Sequence, residues 1–489
     1  MAKYFDKLFH LTQSIRRQGS RCISSFGSTN YSYTRSSRYQ IKNRSVSNYA
    51  INNNNSVLGT FESCNWTCRK SYATDHKLKN SNELNNNNWI NGVMYKQDTW
   101  TNITPKILSL INRNLHLQKD HPICLIKEVI IKHFYKKYVR SRQRPIFSVY
   151  DNLSPVVSTY QNFDSMLIPK DHISRRKSDN YYINSSTMLR AHTSAHEAEL
   201  IRSGLDAFLV VGDCYRRDEI DTSHYPAFHQ LEGVRLFSYH DVFENAEGDT
   251  SGLSLFEDGV EAADKQDCHT LEASKIVELA LKQTLEDCMQ NLFGKDIERR
   301  WVDAYFPFTH PSFELEVKYE GEWMEVLGCG VLRQDILNKA GANEKIGWAF
   351  GLGLERLAMK LFDIPDIRYF WSNNEVFLSQ FRNKESIKDL KFKPYLSKHP
   401  ALFNDISFWI PEQFHPSDFY DIVRTIGGDL VENVVLHDDF IHPKSGRRSH
   451  CYRLFYRHVS RTLSHDEVSE VQKEIREKLI EHWNVEGRW

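Results

Sequence analysis

Residues 212–233, GDCYRRDEIDTSHYPAFHQLEG, decide the fold of this chain. The apolar run FLVVGDCY leads into this stretch and AFHQLEGVRLF ends it, whereas the residues between them are mostly charged or polar. Runs rich in β-branched and aromatic residues around a polar loop predict two antiparallel strands. Arg216 ends the first strand, where its planar guanidinium suits a phosphate, and Asp218 shares its face of the pleat. A lone arginine at a strand end is also typical of a solvated surface.

Strand patterns continue on the C-terminal side. RWVDAYFPF, SFELEVKY and WMEVLGCGVL lie between residues 300 and 332, and a long helical pattern lies around residues 267–292. These patterns predict an α+β domain built on an antiparallel sheet. GWAFGLGLERLAM at 347–359 then places three glycines before a helix that carries Arg356, a second cation suited to phosphate. On the N-terminal side, residues 110–138 predict a helix with Asp120 as its N-cap before Pro122.

The C-terminal part of the chain predicts a second, smaller domain. A charged, Lys-rich linker near residues 382–397 precedes the order strand, helix, strand, strand, helix and a short end. This is the βαββαβ order of a ferredoxin-like domain. Its second helix opens with Ser464 and Glu467, which is the signature of a capping box.

Residues 441–463 contain six cations and no acid, with Tyr452, Phe455 and Tyr456 between the charges. A basic strand pair with aromatic side chains suits an RNA backbone whose exposed bases stack. A solvated charged face is the alternative. The cations are Lys444, Arg447, Arg448, Arg453, Arg457 and Arg461.

Composition limits the class of protein. The chain has 489 residues, with 63 Lys and Arg against 63 Asp and Glu, so an RNA partner must be held by a local basic surface. Since no run approaches about 18 apolar residues, we expect no membrane span. The nine cysteines are scattered without a CxxC pair, which favours a reducing compartment and argues against both a disulfide scaffold and a zinc site.

Residues 1–61 differ in composition from the rest of the chain. They hold nine Lys and Arg, a single acid, Asp6, and many serines. This composition is typical of an organelle transit peptide, and a disordered basic tail is the alternative. Asparagine runs follow at 52–55 and 85–88, so we expect residues 1–88 to be an extension that precedes the folded part.

In this order, the stretches at 212–233 and 347–359 resemble motifs 2 and 3 of the class II aminoacyl-tRNA synthetases. Similarity to the catalytic core of the phenylalanyl-tRNA synthetase family extends over HTSAHE (192–197), FHQLEG (228–233), YFPFTHPSFE (305–314), EVLGCG (325–330) and GWAFGLGLER (347–356). Similarity to that family's ferredoxin-fold anticodon-binding domain extends over NDISFWIP (404–411), GRRSHCYRLFYRH (446–458) and VEGRW (485–489). One chain with both parts is the organisation of the family's single-chain mitochondrial type.

The resemblance implies an α+β fold, with a class II antiparallel-sheet catalytic domain over residues 89–385. A linker over 386–397 and a ferredoxin-like anticodon-binding domain over 398–489 would complete the chain. The implied reaction joins phenylalanine to tRNA-Phe through a phenylalanyl-adenylate. Because the catalytic motifs all precede residue 397, we expect the C-terminal domain to be dispensable for adenylate formation.

For ATP, the resemblance implies that Arg216 holds the α-phosphate and Arg356 the γ-phosphate. Phe228 would stack on the adenine, and Asp218 and His224 would flank the nucleotide, with Mg²⁺ bridging phosphate oxygens rather than sitting in a protein cage. Without the resemblance, Phe228 is as well explained as a core aromatic residue.

For the amino acid, the resemblance implies that polar residues bind the carboxylate and ammonium groups while aromatic residues clamp the ring. Phe306 and Phe308 would form the edge-on clamp, and Ala349 would lie beyond the para carbon. Glu197 stands where the family commonly has Gln. The implied substrate-binding set is Ser194, Ala195, His196, Glu197, Arg216, Ser223, His224, Tyr225, Gln230, Glu232, Phe306, Phe308, Glu325, Ala349 and Phe350.

For the nucleic acid, the resemblance points to the anticodon stem-loop of tRNA-Phe on Lys444, Arg447, Arg448, Arg453 and Arg457. We expect a monomeric enzyme of the mitochondrial matrix. Two alternatives stay open: a tRNA-binding paralogue that has lost catalysis, and a plastid or dual-targeted enzyme.

Overall fold

The computed structural model describes residues 87–243, 252–383, 387, 390–393, 400–459 and 461–488. These residues belong to one compact unit, Asn86–Trp489. The transit-peptide prediction and most of the predicted 386–397 linker lie outside the described residues. Within those residues, none of the helices combines the length and the apolar character that crossing a membrane requires.

The strands are numbered in chain order. They are β1 (Asn87–Ile90), β2 (Val93–Lys96), β3 (Ser148–Tyr150), β4 (Val156–Ser158), β5 (Tyr182–Asn184), β6 (Thr187–Leu189), β7 (Ala207–Tyr215), β8 (Ala227–Phe237), β9 (Arg299–Phe306), β10 (Thr309–Tyr319), β11 (Glu322–Leu332), β12 (Ile346–Gly353), β13 (Leu402–Trp409), β14 (Val431–Ile441) and β15 (Arg448–Tyr456).

The α-helices are numbered in the same way. They are α1 (Pro105–Leu110), α2 (Pro122–Lys137), α3 (Thr159–Asn162), α4 (Glu197–Arg202), α5 (Tyr239–Phe243), α6 (Leu271–Phe293), α7 (Gln334–Lys339), α8 (Leu354–Phe362), α9 (Arg368–Trp371), α10 (Glu375–Leu378), α11 (Pro416–Gly427) and α12 (His465–Trp483). A 3₁₀ turn, Thr193–His196, leads directly into α4.

A seven-stranded sheet forms the centre of the unit, in the order β3-β7-β8-β12-β11-β10-β9. Every neighbouring pair is antiparallel except β3 and β7, which are parallel. The predicted antiparallel α+β core is therefore confirmed. The glycine-rich run at 347–353, expected only to precede a helix, forms the central strand β12, and α8 follows it directly.

The two faces of this sheet differ in what covers them. Paired residues of antiparallel strands point to the same face, so Phe228, Gln230 and Glu232 of β8 share a face with Gly351 and Gly353 of β12. A Cβ atom added at either glycine would meet no atom within 4 Å. We call this side the open face. The other side is covered by helices, among them α2 and α6.

The helix before the sheet begins one residue later than predicted. His121 is the N-cap of α2, and its ring nitrogen accepts a hydrogen bond from the backbone N–H of Ile123. Asp120 has a φ of 66° and precedes the cap. The Asp120 prediction was therefore wrong, because an aromatic nitrogen provides the acceptor that a short acid was expected to provide.

The C-terminal domain has the predicted ferredoxin-like fold. Strands β13, β15 and β14 form an antiparallel sheet in that order, with α11 and α12 packed on it. The last strand of the motif is reduced to a bridge between Phe408 and Gly487, which extends the sheet beyond β13. The predicted capping box of Ser464 and Glu467 is present at the start of α12.

Candidate active site

The open face of the sheet places three predicted ligands on one strand. Phe228, Gln230 and Glu232 follow one another at every second position of β8. Opposite them, Gly351 and Gly353 leave space where other residues would project side chains. The result is a trench with an aromatic ring, an amide and a carboxylate along one wall, which can take an elongated ligand.

The carboxylate of Glu232 is held by two hydroxyl groups. Thr193 Oγ1 and Ser194 Oγ donate to Glu232 Oε2 at 2.7 and 3.0 Å. The backbone N–H of Thr193 donates to Gln230 Oε1 at 3.2 Å. The 3₁₀ turn thus fixes both polar side chains of β8, and an acidic side chain in this position suits a substrate ammonium. Thr193 was missed at the sequence level, although it lies beside Ser194 in the same motif.

His196 turns away from the trench. Its Nε2 lies 3.0 Å from the guanidinium of Arg190, and burial together with that cation lowers the pKa of His196 to about 3. Arg190 in turn donates to Asp213 Oδ1 at 2.7 Å, and this ion pair is buried. A neutral His196 therefore belongs to a buried network behind the site. Ala195, from the same turn, is buried among apolar residues.

Arg190 is a supporting residue that the sequence analysis did not identify. Its signal in the sequence is Gly212, since a Cβ atom there would lie 2.0 Å from Arg190 Nη2. A glycine inside a strand often marks such a close approach.

The two rings predicted to form a clamp, Phe306 and Phe308, lie together at the turn between β9 and β10. The Phe306 and Phe308 rings stack with their centroids 5.7 Å apart and their planes 11° apart. Phe306 lies over Gly328 of β11, where a Cβ atom would come within 2.8 Å of the ring. Gly328 pairs with Gly351, so the clamp is on the open face, beyond the glycine floor.

Ala349 and Phe350 occupy opposite faces of β12. Ala349 points to the open face and packs with Leu337 and Ala340 of the α7 region. Phe350 points to the covered face, where its ring stacks on Phe134 of α2 with the centroids 5.8 Å apart. The structure therefore does not bring the Phe350 side chain together with the other predicted ligands, because neighbouring strand residues alternate between faces.

The two arginines predicted to bind phosphate stand above the open face. The Arg216 guanidinium carbon is 5.0 Å from the Phe228 ring centroid, and Arg216 Nε donates to the carbonyl of Ala191 at 2.9 Å. Arg356, half exposed on α8, donates to the carbonyl of Glu325 and forms an ion pair with its carboxylate at 3.5 Å. Among the described residues, the Arg216 side chain has no hydrogen-bond partner beyond the Ala191 carbonyl and the Arg356 side chain none beyond Glu325, so each has further N–H donors for an anion.

The loop between β7 and β8 holds the remaining predicted nucleotide ligands. His224 Nδ1 lies 2.7 Å from Asp221 Oδ2, and this hydrogen bond raises the pKa of His224, helped by the charge of Asp218. Ser223 is exposed and donates to Asp221. Tyr225 differs, because its ring is buried and its hydroxyl donates to Asp429 of the C-terminal domain.

A buried, hydrogen-bonded pair, His229 and Glu355, connects β8 to α8. Both the backbone N–H and the Nδ1 of His229 lie 2.7 Å from the carboxylate of Glu355. His229 lies between Phe228 and Gln230, and Glu355 precedes Arg356. The pair therefore fixes β8 relative to α8, the helix that carries Arg356, a role that was not predicted for either residue.

The C-terminal domain forms several bonds to the loop between β7 and β8. Arg217 is 4% exposed and bonds to Asp418 and Asp421 of α11 at 2.6 and 2.7 Å. Arg424 donates to the carbonyls of Asp218 and Glu219, and Ile220 packs in the hydrophobic core of that domain. The loop between β7 and β8 is therefore bonded to the C-terminal domain, and deletion of that domain would remove these contacts. The expectation that adenylate formation survives this deletion stays a prediction.

The basic stretch of the C-terminal domain is neutralised by acids from other segments. Arg448 pairs with Asp439 at 2.6 Å, and Arg453 pairs with Asp405 at 2.8 Å. Arg447, Arg457 and Arg461 pair with Glu486, Glu432 and Glu467. The charge imbalance seen along the sequence is therefore smaller on the folded surface.

The aromatic residues of that stretch divide between two faces of β15. Tyr452 and Tyr456 are 1% exposed and form part of the domain core, so the expectation that they stack on RNA bases was wrong. Phe455 points outward beside Phe403, with the ring centroids 6.2 Å apart, and Arg453 lies over Phe403. Side-chain alternation along the strand separates the two sets.

Two acids, Glu314 and Glu325, lie near each other, and Glu325 pairs with Arg356. Burial and the neighbouring Glu325 and Glu316 raise the pKa of Glu314. Acids that disfavour each other's charge suit an arriving divalent cation. The described residues contain no group of three or more His, Cys, Asp or Glu side chains that could hold a metal ion.

Comparison of the sequence with known proteins identifies related families and relatives for both domains. The chain matches the family model "tRNA synthetases class II core domain (F)" over residues 112–244 and 267–381, and the ferredoxin-fold anticodon binding domain over 397–488. The mitochondrial phenylalanine–tRNA ligase of Mus musculus is 60% identical over 399 residues, which cover 81% of this chain and 88% of that protein. The probable mitochondrial enzyme of Drosophila melanogaster is 51% identical, covering 82% and 92%. The chloroplastic/mitochondrial enzyme of Arabidopsis thaliana is 47% identical, covering 81% and 85%.

Proposed function

Since the chain belongs to the phenylalanine–tRNA ligase family of the class II aminoacyl-tRNA synthetases, we propose that ATP and phenylalanine bind side by side on the open face of the seven-stranded sheet. The protein is an aminoacyl-tRNA synthetase that ligates phenylalanine to tRNA. The observation that carries the site assignment is the alignment of Phe228, Gln230 and Glu232 on one face of β8.

The first half-reaction needs alignment and charge neutralisation. The phenylalanine carboxylate attacks the α-phosphorus of ATP, and pyrophosphate leaves in line, which gives phenylalanyl-adenylate. Arg216 holds the α-phosphate and Arg356 the γ-phosphate, and charge-assisted bonds from both strengthen as negative charge develops. The Phe228 ring stacks on the adenine once Arg216 moves from that ring to the phosphate. Asp218 and His224 flank the nucleotide.

Magnesium enters with ATP and would neutralise phosphate charge. Glu314 and Glu325 fit such an ion, because their mutual proximity disfavours two negative charges without a cation. The ion pair of Glu325 with Arg356 supports a position for this ion at the pyrophosphate end of the trench.

The amino acid occupies the other end of the trench. The ammonium binds Glu232, whose hydroxyl partners keep it oriented, and Gln230 and Ser194 bind the carboxylate region. The ring enters between the clamp of Phe306 and Phe308 and the floor at Ala349. In the second half-reaction, a hydroxyl of the terminal ribose of tRNA attacks the acyl carbon and AMP leaves.

For the tRNA, we propose the outward face of the C-terminal sheet. Phe403 and Phe455 offer a stacking surface, and Arg453 beside them offers a cation. Arg447 and Arg488 stack on Trp409 at 4.6 and 5.0 Å, which forms a second cation–aromatic cluster on this domain. Stacking surfaces with arginines suit unpaired bases of an anticodon loop.

The experiment that tests the site is phenylalanine-dependent ATP–pyrophosphate exchange in Arg216→Ala and Arg356→Ala. Each variant should lose about a hundredfold or more of the rate, since each removes a preorganised charge contact to the transition state. Arg382→Ala, which removes an exposed cation paired with Glu375, is the matched control and should keep wild-type exchange. Wild-type exchange in either of the first two variants would refute the assignment.

We further propose that the enzyme works as a monomer in the mitochondrial matrix, with the segment 1–88 as transit peptide and extension, a catalytic domain over 89–385 and an anticodon-binding domain over 398–489. The relatives are named as mitochondrial, and residues 1–61 have the composition of a transit peptide. A reporter fused to residues 1–60 should enter the matrix, and a cytosolic or plastid-only signal would refute this localisation. Sedimentation of the enzyme should give the mass of one chain.

A further inference from the structure

Gln266 is a buried side chain behind the proposed ring clamp. It lies between the two ranges that match the class II core model, outside both of them, and it belongs to none of the motifs quoted above. It is 3% exposed, and its amide forms three hydrogen bonds, each to the main chain of a different residue. Both N–H donors and the oxygen of the amide are therefore engaged.

The three bonds connect two segments of the chain that meet beside the clamp. Gln266 Nε2 donates to the carbonyl oxygens of His310 and Leu332, both at 2.9 Å. Gln266 Oε1 accepts from the backbone N–H of Gln334, also at 2.9 Å. His310 lies at the start of β10, whereas Leu332 ends β11 and Gln334 begins α7. One amide therefore holds the start of β10 against the end of β11 and the first turn of α7.

The start of β10 needs such a partner because its ladder is interrupted. The register of β10 with both β9 and β11 shifts between Thr309 and Ser312, so it skips His310 on both sides. A backbone carbonyl that leaves the ladder needs another donor, and Gln266 provides it. The His310 ring is held by the same segment, since its Nε2 lies 2.7 Å from the carbonyl oxygen of Ala262.

The segments that Gln266 connects carry both walls of the proposed pocket for the phenyl ring. Arg333, which lies between two of its partners, donates its backbone N–H to the carbonyl of Phe308 at 3.0 Å. Phe308 packs against the apolar cluster that contains Ile336 of α7, and the same helix packs behind Ala349. The space between clamp and floor therefore depends on where α7 lies relative to the turn that carries Phe308.

The segment that carries Gln266 is itself anchored. Ser274 of α6 donates from its hydroxyl to the carbonyl of Asp264 at 2.7 Å, and Lys265 Nζ donates to the carbonyl of His269 at 3.1 Å. The backbone N–H of His269 donates to the carbonyl of Gln266 at 3.2 Å. The amide therefore projects from a fixed backbone next to the long helix α6.

We propose that Gln266 is a positioning residue for phenylalanine, which sets the space between the clamp at Phe308 and the floor at Ala349. This proposal rests on the proposed function in so far as these two residues enclose the substrate ring. Without the amide, two carbonyls and one N–H lose their partner, and α7 is no longer held to the turn. The ring is then positioned less closely, and a para substituent finds more room.

Phenylalanine-dependent ATP–pyrophosphate exchange in Gln266→Met tests this role. Methionine keeps the length of the side chain and removes all three hydrogen bonds. The KM for phenylalanine should rise about tenfold. The preference for para-chlorophenylalanine over phenylalanine, measured as the ratio of their kcat/KM values, should rise by a similar factor of about ten. The KM for ATP should stay at the wild-type value, because all three bonds lie at the amino-acid end of the trench.

Gln472→Met is the matched control. Gln472 is also 3% exposed, accepts from the hydroxyl of Tyr456 at 2.5 Å and donates to the carbonyl of Asp405 at 3.0 Å, all within the C-terminal domain. In urea unfolding this variant should lose stability as Gln266→Met does, yet it should keep the wild-type KM and selectivity in exchange. Equal rises in the KM for phenylalanine and for ATP in Gln266→Met, or kinetics that match those of Gln472→Met, would refute a positioning role.

Gln266→Glu is the second variant and gives the same comparison if Gln266→Met does not fold. It keeps the length of the side chain and the acceptor for the N–H of Gln334, and it places a carboxylate oxygen opposite two carbonyls. The KM for phenylalanine should again rise without a change in the KM for ATP. A wild-type KM for phenylalanine in this variant would overturn the proposal.

Phe308→Leu distinguishes failure of this proposal from failure of the proposed site. A raised KM for phenylalanine in Phe308→Leu, together with wild-type KM and selectivity in Gln266→Met, would refute the role of Gln266 alone. An unchanged KM for phenylalanine in Phe308→Leu would refute the ring clamp, and the role of Gln266 with it.

Discussion

Arg217→Met tests the connection between the C-terminal domain and the nucleotide loop. Arg217 Nε and Nη2 both bond to Asp421 Oδ2, at 2.8 and 2.7 Å, and Nη1 donates to the carbonyl of Lys177 at 2.8 Å. Arg217 and Asp421 are 4% and 8% exposed. Methionine keeps the apolar stem and removes every one of these side-chain bonds.

The loss of stability expected for Arg217→Met follows from the burial of the ion pair between Arg217 and Asp421. Removing one partner of a buried ion pair typically costs about 3–5 kcal/mol, because the other charge stays buried without compensation. Asp421 keeps bonds from the Tyr181 hydroxyl and from Arg424, which places the expected cost near the lower limit. The pair with Asp418 adds under about 1 kcal/mol, since that acid is 35% exposed. We expect the free energy of unfolding to fall by about 3 kcal/mol.

Urea unfolding measures this change, and the neighbouring residue provides the control. Arg216→Met should stay within about 1 kcal/mol of wild type in stability and lose exchange, whereas Arg217→Met should lose stability and raise the KM for ATP. A double-mutant cycle with Asp421→Asn should give a coupling of at least about 1 kcal/mol. A loss below about 1 kcal/mol in Arg217→Met would refute the argument that this domain holds the loop.

Three further predictions concern other parts of the molecule. Glu355→Gln removes one of the two carboxylate acceptors for His229 and should raise the KM for ATP about tenfold in exchange assays, with a smaller rise in the KM for phenylalanine. Equal rises in both KM values would contradict the argument that this pair positions β8 relative to α8. Ala349→Gly should admit para-chlorophenylalanine and Ala349→Val should raise the KM for phenylalanine, while an unchanged substrate profile in the glycine variant would show that the pocket floor is misassigned. Asp439→Asn removes the charge that pairs with Arg448 and should tighten tRNA binding. Filter binding at several salt concentrations should show that the slope of log K against log salt steepens by about one phosphate contact. An unchanged slope would mean that Arg448 contacts no phosphate.

Local pattern was sufficient to predict most of the fold. The strands around residues 207–237 and 299–332 and the capping box at Ser464 follow from apolar runs and cap chemistry. Strand β12 was missed because its glycines, which leave the floor of the trench open, also remove the side chains that indicate a strand. Strand β12 could therefore not be predicted from hydrophobic pattern, because the glycines that leave space on the open face contribute no side chains to that pattern.

The site was harder to predict where contacts cross long distances in the chain. The common strand face of Phe228 and Glu232 could be predicted because both residues lie within one motif, whereas the partners of Arg217 lie about two hundred residues away on α11. In the same way, the acids that neutralise Arg448 and Arg453 come from other strands, so a stretch without acids in sequence is not an unpaired basic surface in the fold.

The most direct measurement is ATP–pyrophosphate exchange by the purified full chain with each of the twenty amino acids, followed by charging of tRNA-Phe with those that support it. We predict that phenylalanine alone supports rapid exchange, that Arg216→Ala abolishes it, and that the activated phenylalanine is transferred to tRNA-Phe. Exchange driven best by another amino acid, or rapid exchange with phenylalanine in Arg216→Ala, would contradict the assignment of the open face as the site of phenylalanine activation.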